Sequence, residues 1–276
     1  MSTMPSSPPP PSPPRRRIVG VSTKMYFSAA RTKQYVEELL QLLLSSSTTP
    51  PDLLTSQLDI FILPDHITLT SVISQLANTG ILPGAQNASH SDAPGALTGE
   101  VSPAVLAEVG CRIVAVGHAE RRRLFGETNE DTAAKAAAVA RHGMIPLVCV
   151  GEQTHDSSSS SSSTTTAVEE CRTQIEAVLA ALPSSSADVV LAYEPVWAIG
   201  ASEPASADHV VAVTRRIRDL ECVRRRRPGA TRVVYGGSAG PGLFEKIKDG
   251  VDGLFLGRFA HDPAQFYRTI LEVAAA

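Results

Sequence analysis

Short apolar runs recur along the chain at Ile18–Ser22, Leu58–Leu63, Ile81–Ala85, Ile113–Val116, Ile145–Val150, Val189–Ala192, Arg232–Tyr235 and Gly253–Leu256. Most are near-continuous in Val, Ile, Leu and Ala, which suits parallel strands covered on both faces. Between them the period changes. In Lys33–Leu44 the apolar positions Val36, Leu39, Leu40 and Leu43 share one helical face, and similar spacing runs through Thr132–His142, Val168–Leu182, Ala207–Val223 and Pro263–Ala275. Strand and helix patterns alternating over residues 18–276 predict an α/β fold, a single closed (β/α)8 barrel domain. An open doubly wound sheet would be expected to carry a GxGxxG turn after the first strand, and Gly20 to Met25 has none.

Two stretches stand outside this pattern. Residues 1–17, MSTMPSSPPPPSPPRRR, hold seven prolines and no periodicity, so a mobile tail is expected there. The proline cluster opposes the amphipathic helix of an organelle-targeting leader. The Ser/Thr-rich stretch 157–166 lies between two regular segments and reads as a surface-loop insertion, which costs little entropy.

Composition narrows the classes. Hydrophobic residues at 43% and charged residues at 19% describe a globular chain. The formal charge is -3 even with Arg15–Arg17 counted, so the body lacks the basic excess of a nucleic-acid binder. Apolar stretches such as Leu39–Leu44 fall far short of the roughly 18 residues of a membrane span. Cys111, Cys149, Cys171 and Cys222 form no CxxC pair, and Cys149 lies inside an apolar run. Reduced thiols in a cytoplasmic protein fit better than a disulfide framework or a zinc site.

Polar and glycine residues gather just past the C-terminal ends of the predicted strands. Lys24 follows the first, Gln86–Asn87 the third, His118 and Glu120 the fourth, and Glu152 the fifth. Glu194 follows the sixth, Gly236–Gly237–Ser238 the seventh and Gly257–Arg258 the eighth. A closed barrel brings these together at one mouth, where barrel enzymes carry their sites and often hold phosphate after strands seven and eight. Singly, each has a plainer reading: Glu194 as a capping or paired carboxylate, His118 as a satisfied loop histidine, Lys24 as a surface lysine. Together they supply what proton abstraction beside a carbonyl needs: a base whose pKa burial would raise, a donor to the carbonyl oxygen, and a positive charge.

Several motifs are similar to those of the triosephosphate isomerase family. They are AQN at Ala85–Asn87, LTGE at Leu97–Glu100, GHAERRRLFGE at Gly117–Glu127, CVGE at Cys149–Glu152, AYEPVWAIG at Ala192–Gly200, YGGS at Tyr235–Ser238 and VDGLFLG at Val251–Gly257. The resemblance runs from about Ile18 to Ala275, and AYEPVWAIG is its most specific part. It implies a TIM barrel and a cofactor-independent aldose–ketose isomerase of small phosphorylated sugars. The default reaction interconverts dihydroxyacetone phosphate and D-glyceraldehyde 3-phosphate through an enediolate. By motif, Glu194 would be the base, His118 the electrophile, Lys24 the stabiliser of negative charge and Glu120 the supporting acid. Ser22 would contact substrate, while Gly200, Ser238 and Gly257 would offer backbone N–H groups to the phosphate, beside Arg258. The segment Pro195, Val196, Trp197, Ala198, Ile199, Gly200, Ala201, Ser202, Glu203, Pro204 would be a lid that shuts out water. A homodimer is also implied, with the loop Gln86–Thr98 inserted into the partner and Asn87, Thr98, Glu100 and Arg121 at interface positions.

Some positions depart from the usual family pattern. Ser22 replaces a substrate-contacting asparagine, and Ala119 replaces the serine that usually follows the histidine. The second half of the lid reads Gly200-Ala201-Ser202-Glu203-Pro204-Ala205 instead of Gly-Thr-Gly-Lys-Thr-Ala. Arg258 replaces a glycine. An arginine fork suits phosphate oxygens or a substrate hydroxyl. Trimming two contacts while adding a long donor points to a ligand one carbon longer, as in the tetrulose-phosphate isomerases such as L-erythrulose 1-phosphate isomerase. Arg258→Gly would then cost more with a tetrulose phosphate than with the triose. Two other classes stay open: a barrel that binds a phosphorylated ligand without turnover, where a base is superfluous, and a glycosidase built on Glu152 and Glu194. Arg224–Arg227 reads as the solvated cationic end of a helix, and Cys149 as a core residue.

Overall fold

The computed structural model describes residues 16–45, 51–153, 160–184, 187–199 and 205–276. Residues 1–15 of the proline-rich tail, 157–159 of the Ser/Thr stretch and 200–204 of the lid therefore lie outside the described residues. Parallel strands β1 (Arg17–Ser22), β2 (Leu58–Leu63), β3 (Leu82–Ala85), β4 (Ile113–Val116), β5 (Ile145–Val150), β6 (Val189–Tyr193), β7 (Thr231–Tyr235) and β8 (Gly253–Leu256) close into a barrel. β1 pairs with β2 on one side and β8 on the other. The chain is a (β/α)8 TIM barrel, and each strand lies within one residue of its apolar run.

The two-residue strand period sorts side chains into two layers. Ile18, Phe61, Leu63, Ile113, Ala115, Leu147, Cys149, Val190, Ala192, Val234 and Phe255 form a cluster inside the barrel. Their neighbours Val19, Val21, Ile60, Ile62, Val114, Val116, Leu191, Tyr193, Val233 and Tyr235 pack outward against the helices. The interior is solid. At Gly20 an added Cβ would lie 2.3 Å from the Phe61 ring, so glycine makes room for the aromatic plug that Phe61 forms with Phe255, ring centroids 5.7 Å apart. Continuing the inward parity past each strand end leads to Ser22 and Lys24, Gly117, Glu194, Gly236 and Gly257. That parity aims Lys24 and Glu194 at one mouth.

The outer layer holds α1 (Ala29–Leu44), α2 (Pro51–Gln57), α3 (Leu69–Gln75), α4 (Pro103–Glu108), α5 (Ala119–Phe125) and α6 (Asn129–Arg141). It continues with α7 (Ser160–Ala181), α8 (Ala207–Asp219), α9 (Glu221–Arg224), α10 (Phe244–Ile247) and α11 (Pro263–Ala275). Three sequence-based expectations are corrected here. Residues 160–166 continue α7 instead of forming a loop. Serine and threonine cost only a few tenths of a kcal/mol each in a helix, and Thr164, Ala167, Cys171 and Ile175 bury one face of it. The pattern Ala207–Val223 divides at Leu220, whose ψ of 135° is extended. Within Arg224–Arg227, Arg226 is 7% exposed, and its guanidinium donates to Thr231 Oγ1 at 2.9 Å and to the Ala187 carbonyl. It braces the entries to β6 and β7, while Arg225 and Arg227 pair with Glu221 and Asp188 at the surface.

Candidate active site

The C-terminal strand ends surround a cavity of about 800 Å³, lined by Ser22, Lys24, His118, Glu120, Glu194, Ser238, Gly257 and Arg258 among others. Residues 96 and 170 positions apart, such as Lys24 and Glu120 or Lys24 and Glu194, meet there because the sheet closes. Gly200 is outside the described residues.

Glu194 follows β6 on the inward parity and is only 2% exposed. Its Oε1 accepts from the Cys149 thiol at 3.3 Å, and its Oε2 has no hydrogen-bond partner among the described residues. Burial pushes the carboxyl pKa up, and the neighbouring His118, Cys149 and Lys24 only partly offset it. Gly236 is the residue that admits this carboxylate: a Cβ there would lie 2.6 Å from Glu194 Cγ. Cys149 is in the core as expected, yet it is also a hydrogen-bond donor to the candidate base.

His118 caps α5, its Nδ1 accepting the Glu120 backbone N–H at 3.1 Å. A ring nitrogen that accepts carries no proton, which leaves Nε2 as the ring's N–H donor. Nε2 faces Glu194 Oε2 at 3.8 Å.

Lys24 has a left-handed φ of 48°, unusual for a residue with a Cβ. Holding such a conformation costs about 1–3 kcal/mol. Its backbone N–H donates to Ser22 Oγ at 3.2 Å, and Gln86 Nε2 donates to the Lys24 carbonyl at 2.9 Å and to Leu63 O at 3.2 Å. The turn thus aims the ammonium at Glu120 Oε1, 2.7 Å away. Partial burial raises the Glu120 pKa, but Lys24, aided by His118 and Arg123, outweighs it and holds the carboxyl below the usual range.

Both ends of the expected lid are tethered. At its start, Glu152 Oε1 accepts from Trp197 Nε1 at 2.9 Å and Tyr193 OH at 3.0 Å, and lies 3.2 Å from His209 Nε2. At its far end the Ala205 N–H donates to Tyr235 OH at 3.1 Å. Ser238 Oγ reaches the Ala198 carbonyl at 3.2 Å. Glu152 is therefore committed to the lid hinge and does not line the cavity, which removes the support for a glycosidase pair. The hydroxyl of Tyr235 and the imidazole of His209 were not legible in the sequence. Tyr235 at least ends a strand on the outward parity within YGGS, whereas His209 sits on α8, 57 positions from Glu152, with no local signal.

The loop after β3 is exposed from Ala93 to Glu100, which includes Thr98 and Glu100. Asn87 and Arg121 are engaged within the chain. Asn87 Oδ1 accepts from Lys135 Nζ at 3.2 Å, and Arg121 pairs with Glu127 at 2.9 Å and stacks over Phe125. Among the described residues, no group of three or more His, Cys, Asp and Glu could hold a metal ion, and no helix is long and apolar enough to cross a membrane.

Comparison with known proteins places these features in a family. The profile for triosephosphate isomerase matches residues 17–273. An L-erythrulose-1-phosphate isomerase of Pectobacterium atrosepticum is 47% identical over 210 residues, covering 75% of this chain and 78% of the relative. A protein of the same name from Rhizobium etli is 38% identical, covering 78% and 80% respectively. A triosephosphate isomerase of Aquifex aeolicus is 35% identical, covering 77% and 85%.

Proposed function

We propose, for a chain that belongs to the triosephosphate isomerase family and is an isomerase of small sugar phosphates, that the substrate is L-erythrulose 1-phosphate. The relatives of that name support the choice, as do the departures at Ser22 and Ala119 from the usual pattern. The reaction itself rests on one observation: a buried, poorly solvated Glu194 facing the protonated nitrogen of His118 in a cavity that also holds Lys24.

The chemistry follows from the substrate's connectivity. C1 carries the phosphate ester, C2 the carbonyl, C3 a secondary alcohol and C4 a hydroxymethyl group. With C1 esterified, the carbonyl moves to C3. Glu194 takes the C3 proton, and the electron pair forms a C2–C3 enediolate. His118 Nε2–H donates to the oxygen that carries the charge, and the Lys24 ammonium stabilises that charge. A hydroxyl proton passes from O3 to O2 by way of His118, and Glu194 returns its proton to C2. The product is the 4-phosphate of a ketotetrose. This is the triose reaction with a hydroxymethyl group in place of one hydrogen, a ketose–ketose shift instead of the expected aldose–ketose one. Raising the pKa of Glu194 by burial makes it a better proton acceptor once ionised.

Ser238, Gly257 and Gly200 bind the phosphate through backbone N–H groups, and the Arg258 fork adds charge-assisted donors. Arg258 follows β8 within this cradle, so it serves a phosphate common to both candidate substrates. That reading replaces the expectation that Arg258 itself discriminates between them. Closure of the lid over residues 195–204 excludes water and protects the enediolate from losing phosphate. Two copies associate through the loop after β3, a reading supported by exposed Met25 (90%) and Ile67 (89%).

Turnover of L-erythrulose 1-phosphate and dihydroxyacetone phosphate by the same purified enzyme tests the assignment. The expected result is a higher kcat/KM for the tetrulose. The reverse order returns the chain to the triose reaction, which the Aquifex relative favours.

A further inference from the structure

A second cavity of about 630 Å³ adjoins the active site. The two share Ala119, Arg123, Glu194 and Val196 in their linings. These residues form a neck beside the candidate base. Resting on the tetrulose reading above, we infer that this neck, with Ala119 as its wall and Arg123 as its donor, is the subsite for the substrate's terminal hydroxymethyl group.

The topology sets the direction of the bound substrate. In the closed order β1 to β8, β4 stands across the ring from β8. The phosphate cradle follows β7 and β8, while His118 and Ala119 follow β4. A ligand anchored by its phosphate therefore extends across the mouth towards the start of α5. The reacting carbons C2 and C3 must lie at the Glu194–His118 pair, whose side chains approach to 3.8 Å. In a triose the chain ends at that pair. In a tetrulose one carbon and its hydroxyl continue past it, and what lies past it is the neck.

The residues there suit such a group. Ala119 directly follows His118 and presents a single methyl, which leaves the width for a hydroxymethyl carbon. Arg123 lies four positions further along α5, hence on the same helical face. It is exposed and lines both cavities, and its planar fork of donors can reach a hydroxyl oxygen. Its charge is felt at Glu120, which faces the same cavity. Val196, at the lid hinge, also lines both cavities at the neck.

The test is the ratio of kcat/KM for L-erythrulose 1-phosphate to that for dihydroxyacetone phosphate, measured on wild type, Ala119→Val and Arg123→Met. Because both substrates are read on one preparation, any misfolded fraction cancels. The valine narrows the neck, and the methionine keeps length while removing the donors. A methylene's worth of space in a pocket is worth roughly ten- to two-hundredfold in discrimination, and a hydrogen bond from a charged donor roughly ten- to a hundredfold. A fall in the ratio of fivefold or more in either variant supports the subsite, and a smaller change in both overturns it. If wild type fails to turn over the tetrulose, the proposed function fails and the subsite with it. If wild type turns it over and neither variant moves the ratio, only the subsite fails.

Discussion

Glu194→Gln exchanges a carboxylate for a carboxamide of the same shape at a position 2% exposed to solvent. The native carboxylate is poorly supported: Oε1 has a thiol as its donor, a weak one, and Oε2 has no partner among the described residues. An unsatisfied buried polar group costs about 1–3 kcal/mol, and more when charged. At about 2–4 °C per kcal/mol for a domain of this size, the variant is expected to melt roughly 2–12 °C higher at pH values above the folded pKa of Glu194. The pH dependence has a definite sign. Burial holds the Glu194 pKa above its unfolded value near 4.3. On raising the pH the unfolded chain ionises first. The stability associated with the protonated carboxyl is therefore whole below the unfolded pKa and lost as pH rises through the folded pKa. The gap between variant and wild type should be smallest below the unfolded pKa and widen as pH rises through the folded pKa. Thermal melts followed by circular dichroism across that range measure it. The same variant should lose roughly 10²–10⁴ in kcat, the usual contribution of a positioned base. A gap indifferent to pH would refute the argument that an unsupported buried carboxylate sits at this site.

Trp197 is the single tryptophan, and its indole N–H is held by Glu152 at 2.9 Å, so its fluorescence should report lid closure. Substrate binding is expected to shift the emission; in Glu152→Gln, free enzyme should already show altered emission and the substrate-induced change should shrink, whereas identical spectra would place the lid movement elsewhere. Arg258→Gly is expected to raise KM about tenfold to a hundredfold with both the tetrulose and the triose, since a hydrogen bond to a charged group is worth about 1.5–3 kcal/mol. Inhibition by inorganic phosphate should weaken in parallel, and an unchanged KM would leave the fork in solvent. Light scattering at micromolar concentration should give a dimer mass; a fully active monomer would contradict the association proposed through the loop after β3.

Much of the fold was legible because strand burial and helix amphipathicity are written locally. Near-continuous apolar runs can be satisfied only by a sheet covered on both sides, and the alternation of run and helix leaves few topologies. The period of two even carries Val190 and Ala192 forward to an inward-facing Glu194. Local pattern was misleading where a neighbour's surface decided the outcome. The serine-rich start of α7 is helical because Thr164 and Ala167 meet a core, and Arg226 is buried because Thr231 and Ala187 receive its hydrogen bonds. The site divides in the same way. That a lysine, a histidine and a glutamate stand at strand ends is a property of the chain. That Glu194 lies against Cys149, that Glu152 is committed to Trp197 and His209, and that two cavities meet at Ala119 are properties of the closed barrel. Residues far apart in sequence acquire an energy of interaction only when closure brings them within a few ångströms and removes the water between them. Short-range periodicity determines which elements form and which way they face; ring closure decides which side chains share one low-dielectric space.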